Sequence, residues 1–274
     1  MTEELVLYET DKQVGIITMN RPSKLNAVNH DLRQQLCDAF AQADEDETTS
    51  VVVLRANGRS FCVGYDINTG DPDKEKNRHD AMKWHESLTE DMAFEFAPWD
   101  MRKPVIASVQ GHVLGGGCEL AMFCDITIAA DNAQFGEPEI RFSNVGPAII
   151  MPWIIGYKKA RELLYFGDTI DAETAERLGM INHVVPLDEL ESFTMNFAHR
   201  MTLISPESLE KTKLAINRGA DCGGFRNAMQ AGLDIVAPIY AAKTEVGLQF
   251  TEIRIKDGLS AALKWRREQF AEYE

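Results

Sequence analysis

The chain opens on two short apolar runs, ELVLYET (4–10) and VGIITMN (14–20), the second running into the turn NRPSKLN. Residues 30–46 then change period. Leu32, Leu36, Ala39, Phe40 and Ala43 recur at helical spacing on one face, which predicts an amphipathic helix. SVVVLRA (50–56) and PVIASVQG (104–111) are continuous valine-rich runs, the pattern of strands covered on both faces. DITIAA (125–130) and INHVVP (181–186) read as further strands, and an aromatic helix pattern surrounds Trp84, Leu88 and Met92. From about Pro186 the alternation stops. Residues 188–204, 206–219, 224–243 and 259–274 all read as helices, broken by SP, CGG and DG. The expected fold class is therefore α/β, with a core over residues 1–190 and a helical C-terminal region over 191–274.

Composition narrows the partners. Against 28 Lys+Arg stand 43 Asp+Glu, a net charge of −15 whose field repels polyanions, so no nucleic acid is expected. The basic cluster KWRR (264–267) is small and suits a solvated helix face. The five cysteines include no C-x-x-C pair, and free thiols in a reducing compartment are expected. The N-terminus MTEELVLYET is acidic, and no run is long enough to span a bilayer. The expectation is a cytoplasmic protein without a membrane partner. DPDKEKNRHD (71–80) is the most charged, loop-like stretch.

The chemistry concentrates in GHVLGGGCELAMFCDITIAADNAQFGEPEI (111–140). Gly111 and Gly116 have phosphate-loop spacing, but Gly117 and Cys118 stand where lysine and serine or threonine are needed, and Leu120 breaks the dinucleotide pattern. Two readings remain for the triplet. It is a turn that lets a helix pack closely, or it exposes free N–H groups at a helix start to a substrate oxygen, as an oxyanion hole requires. Glu119 in the first turn is favoured by the helix dipole, yet its apolar surroundings suit a proton-transfer carboxyl. Glu139 reads as a loop residue or as a second such group.

The whole stretch KPVIASVQGHVLGGGCELAMFCDITIAADNAQFGEPEI (103–140) resembles the core signature of the crotonase (enoyl-CoA hydratase/isomerase) superfamily. NRPSKLNAV, GRSFCVGYDI and ARELLYFGDTIDAETAERLGMINHVVP resemble its flanking elements, so the likeness covers roughly residues 5 to 190. The resemblance implies a spiral of ββα repeats with a helical C-terminal oligomerisation segment, assembled as a homotrimer or homohexamer. It implies an acyl-CoA thioester as substrate, with no separate cofactor and no metal. Val63 and Gly116 match the oxyanion-hole donors, and Glu119 and Glu139 match the two hydratase carboxylates. Lys24, Ala27, Gly64, Tyr65, Asp66, Ile67 and Pro147 fall at substrate-binding positions. Of the two carboxylates, Glu119 at the helix start is expected to ionise more readily and to hold or activate water. Glu139 is expected to exchange a proton at Cα.

Some positions depart from the family pattern. Pro147 stands near a water-positioning glycine and has no N–H to give. Tyr65 replaces a small residue in a loop expected to meet the adenine end of CoA, where it stacks on the base or caps the loop. Ala262 and Trp265 stand near positions where hydratases carry CoA-binding phenylalanine and lysine, for which Lys264, Arg266 and Arg267 are substitutes. Trp84, Phe94, Phe96 and Trp99 either line an acyl pocket or belong to the core. The leading expectation is an enoyl-CoA hydratase. Its alternatives are an isomerase or another crotonase-type enzyme and, in a different class, a non-catalytic acyl-CoA- or RNA-binding scaffold.

Overall fold

The computed structural model describes residues 4–67, 79–242 and 244–274. Strand β1 (Val6–Asp11) turns back on β2 (Val14–Met19) as an antiparallel hairpin. Beside β2 lie β3 (Val51–Ala56), β4 (Val105–Val109), β6 (Ile126–Ala130) and β9 (His183–Val185), all parallel, in the order β1-β2-β3-β4-β6-β9. A second sheet joins β5 (His112–Leu114), β7 (Gln134–Gly136) and β8 (Thr169–Asp171). The pairs β4/β5, β6/β7 and β8/β9 each give one strand to each sheet, as a spiral of ββα repeats does.

The valine-rich runs are continuous because the large sheet is covered twice. Ile17, Met19, Val52, Leu54, Val105 and Ala107 face the main core with helix α1 (His30–Glu45). The alternate residues Val14, Ile16, Val51, Val53 and Ile106 face the other way, onto Leu190 and Ala198 of α7 (Leu190–Met201). Helix α2 (Ala81–Asp100) carries the aromatic stretch, and α3 (Gly116–Phe123) follows the glycine triplet. Three short helices follow: α4 (Met151–Ile155), α5 (Tyr157–Phe166) and α6 (Ala172–Leu178). Beyond α7 come α8 (Pro206–Cys222), α9 (Phe225–Ala242), α10 (Glu245–Asp257) and α11 (Leu259–Phe270). The expected helical C-terminal region is present, and α10 adds a helix to those the sequence pattern predicted. Of the charged stretch 71–80, residues 71–78 lie outside the described residues. Cys37, Cys62, Cys118, Cys124 and Cys222 are free thiols.

Candidate active site

Two loops built from the N-terminal motifs frame one side of a cleft. In the first, Leu25 and Asn26 take left-handed backbone angles (φ 52° and 54°). The fully buried Asn26 amide pays for that turn: its Oδ1 accepts from the Arg21 N–H at 2.8 Å, and its Nδ2 donates to the carbonyls of Asn57 and Ser60. The Arg21 guanidinium then reaches the Asp66 carboxylate at 2.7 Å, tying this loop to the second one. Residues 61–66 are also stitched by Val28 N–H to Gly64 O and by Asp66 N–H to Val28 O, both 2.9 Å. On the other edge Leu114 N–H meets Cys62 O at 2.9 Å. Val63 and Gly64 are thereby held against the start of α3. A Cβ placed on Gly64 would lie 3.3 Å from the Gly116 nitrogen.

Helix α3 starts at Gly115, whose φ of 53° and ψ of −132° no L side chain adopts readily. The N–H groups of Gly116 and Gly117 open the helix and have no acceptor within it. Gly116 lines the cleft. The Val63 N–H points at the Leu25 carbonyl across 3.3 Å, a long hydrogen bond that an incoming oxygen would have to share. The cleft encloses about 1320 Å³, and Lys24, Ala27, Val63, Gly64, Tyr65, Asp66, Ile67, Gly116, Glu139 and Pro147 all line it. The sequence-predicted site residues are thus brought together, with Glu119 set behind the wall. Trp84, Leu88, Ile239, Tyr240, Phe250 and Leu263 form its apolar side, with the Trp84 and Tyr240 rings 5.0 Å apart.

The carboxyls lie around the glycines. Glu139, on a 3₁₀ turn (Pro138–Phe142), reaches the cleft beside Gly115, where an added Cβ would meet its Oε1 at 3.2 Å. Burial raises its pKa to about 7. Glu119 is fully buried. Its Oε1 accepts from the Ala148 N–H at 3.3 Å, so the residue after Pro147 supplies a donor that the proline cannot. A Cβ on Gly146 would stand 2.3 Å from the same oxygen, and only glycine leaves it room. Glu119 is not the readily ionised member of the pair. Burial, then the Glu95 and Glu139 charges, push its pKa well above the carboxylate range.

Glu95 is the residue that pattern reading missed. It sits on α2 between Phe94 and Phe96 with no solvent exposure. Its Oε1 accepts from the Tyr65 hydroxyl at 2.6 Å, and its carboxyl faces Glu119 across the packed helices α2 and α3. An acidic residue inside the apolar window AFEFAPW is a signal the sequence does carry. Tyr65 has a defined orientation. Its ring turns inward over Gly116, where an added Cβ would meet Cε2 at 2.5 Å, and its hydroxyl is held by Glu95. Asp66 lines the cleft, but its carboxylate is engaged by Arg21. Helix α11 presents Leu259 and Leu263 to the cleft. Lys264 instead pairs with Glu268, and Arg266 donates to the Arg141 carbonyl. Of the aromatic stripe, Trp84 reaches the cleft, while Phe96 and Trp99 pack in the core against Phe123 and Phe225. Phe94 is fully buried in the same core.

A ββα spiral with a glycine-opened helix and carboxyls at its start defines the crotonase fold class. Residues 9–252 match the enoyl-CoA hydratase/isomerase family, and the chain belongs to it. It is similar to a probable enoyl-CoA hydratase of Mycobacterium tuberculosis, 34% identical over 98% of this chain and 99% of the relative. A crotonyl-CoA hydratase of Syntrophomonas wolfei is 31% identical over the same shares. Among solved structures, an enoyl-CoA hydratase/isomerase from Xanthobacter autotrophicus Py2 superposes with a TM-score of 0.93. It is 34% identical over 98% of this chain and 99% of that one. No helix among the described residues is long and apolar enough to cross a membrane.

Proposed function

We propose that the protein is an enoyl-CoA hydratase, adding water reversibly across the 2,3 double bond of an acyl-CoA thioester. The observation that carries this reading is the placement of two carboxyls, Glu119 and Glu139, around the glycine start of α3. In this reading the thioester oxygen meets the N–H groups of Gly116 and Val63, which receive the negative charge of the enolate. A water oxygen bonds to C3 as a carboxylate takes its proton, and a carboxylic acid delivers a proton to C2, so one H and one OH are added. Glu139, which faces the cleft and titrates near neutrality, serves the Cα proton. Glu119 serves the water. The cleft cations Lys24, Arg59 and Arg254 suit the phosphates of CoA, and the wall of Trp84, Leu88, Tyr240 and Phe250 suits an apolar acyl group. The site asks for neither a metal nor a redox group.

Isomerisation is the second reading, favoured by one observation: Glu119 lies behind the cleft wall, leaving Glu139 as the carboxyl of the pair that lines it. A scaffold without chemistry is the weaker alternative. Among the described residues, Glu95, Glu119 and Glu137 each keep a buried carboxyl oxygen with no donor, a cost that no structural partner there offsets. The test is to follow the ultraviolet absorbance of crotonyl-, longer and branched enoyl-CoA thioesters. Loss of the conjugated absorbance with formation of the 3-hydroxyacyl product supports hydration. A 3-enoyl product alone would assign isomerisation, and no turnover of any thioester would leave only binding.

A further inference from the structure

Three carboxyls converge beneath Gly116, one more than water addition needs. Glu95 enters from α2, which runs Trp84, Leu88, Asp91 and Glu95 along one face toward the cleft. One of its oxygens receives the Tyr65 hydroxyl, and the other, Oε2, has no donor. Glu119 shows the same division: Oε1 receives the Ala148 N–H, and Oε2 has none. Two buried carboxyls that face each other across packed helices, each with one oxygen lacking a donor among the described residues, cannot both ionise. They are completed by a proton between them.

We propose that Glu95 is a positioning residue for the reaction. With Glu119 it forms a carboxyl pair that shares one proton, and the Tyr65 hydroxyl fixes the pair in place. The proposal rests on the enolate-forming function above. The pair then carries one proton and one negative charge. When water adds to C3, its proton joins the pair, which becomes neutral, while Glu139 gives its own proton to C2 and becomes anionic. Proton exchange from the pair to Glu139 resets the site, so no proton is gained or lost. The shared proton stabilises the single negative charge, so the pair stays anionic where a lone buried glutamate would be protonated, and a base is in place for water's proton.

The surroundings support the pair as the charged unit. Glu95 is faced by Tyr65 and Glu119, by Asp91 on its own helix, and by Glu137. Glu119 is faced in addition by Glu139. Asp91 is held by Arg33 at 2.5 Å, so its charge is compensated. Burial, then the Glu119 and Glu139 charges, raise the Glu137 pKa, which favours its neutral form.

Carboxyl carbon-13 titration of glutamate-labelled protein, alongside pH profiles of kcat/KM on crotonyl-CoA, tests the pair. Glu95→Gln keeps the shape, accepts from Tyr65 and donates to Glu119, so a packing role survives it. The proposal expects the Glu119 resonance, assigned by its loss in Glu119→Gln, to follow two steps in the wild type and one step between them in Glu95→Gln. The acidic limb of kcat/KM, set by the pair's first proton loss, should move to higher pH in Glu95→Gln, and kcat should fall while KM holds. Tyr65→Phe removes a donor from the anionic pair and should move the pair's first proton loss to higher pH, which keeps the test open if Glu95→Gln does not fold. A Glu119 titration unchanged in both variants overturns the pair. If no thioester turns over, the functional reading fails, while the carbon-13 titration still decides the pair.

Discussion

Glu139 and Glu119 have the same side chain in one site, and their surroundings separate them. Glu139 reaches the cleft and titrates at about 7, while Glu119 is sealed beside Glu95 and is raised well beyond the carboxylate range. The sign of the consequence for stability follows from linkage. A carboxyl whose folded pKa exceeds its unfolded value favours folding fully below the unfolded value, and that contribution is lost as pH rises through the folded one. For Glu139 the window runs from 4.5 to about 7. Glu139→Gln is therefore expected to melt above the wild type at about pH 8 and alongside it near pH 4, by scanning calorimetry at both values. A wild-type advantage at the higher pH would mean that the ionised carboxylate is well solvated. Glu95 and the inward turn of Tyr65 were not legible as site features. Each acquires its role from a partner far away in the chain, Tyr65 for Glu95 and Gly116 for Tyr65.

Helix α3 shows how much an element boundary can carry. Gly115 adopts a backbone conformation reserved for glycine, and with it Gly116 comes to line the cleft. Gly115→Ala is expected to cost about 1–3 kcal/mol in urea unfolding, from the strained backbone alone. A neutral change would place the strain elsewhere. The valine-rich strands and α1 were legible because burial on fixed faces leaves a clear period, as at Leu32, Leu36, Ala39 and Phe40. Strands β5, β7 and β8 span three residues each, too short for any period to register. Helix α10 escaped because Phe250 is its buried residue, so no apolar stripe marks it. Tyr65 shows the same limit for a loop: the residue types named the motif, and only the packing of the loop against α3 set the direction of the ring.

For the whole molecule, the C-terminal region leaves Leu203, Ile204, Ile216, Ile235, Leu248 and Ile255 exposed in the single chain. We propose that they are covered by other copies, and sedimentation equilibrium is expected to give a trimer or hexamer. A monomer at micromolar concentration would contradict that assembly. The net charge of −15 sits poorly with RNA binding, and a salt-dependent RNA shift would revive the scaffold reading. The central claim is that Glu119 and Glu139 both move protons, and the most direct measurement compares Glu119→Gln and Glu139→Gln. Each is assayed on crotonyl-CoA for hydration and, in deuterated water, for exchange at Cα. Both variants are expected to lose about 10²-fold or more in kcat with KM little changed, and Glu139→Gln to lose the exchange as well. A severe loss in only one variant would assign the isomerase reading. Near-normal hydration by both folded variants would contradict the account.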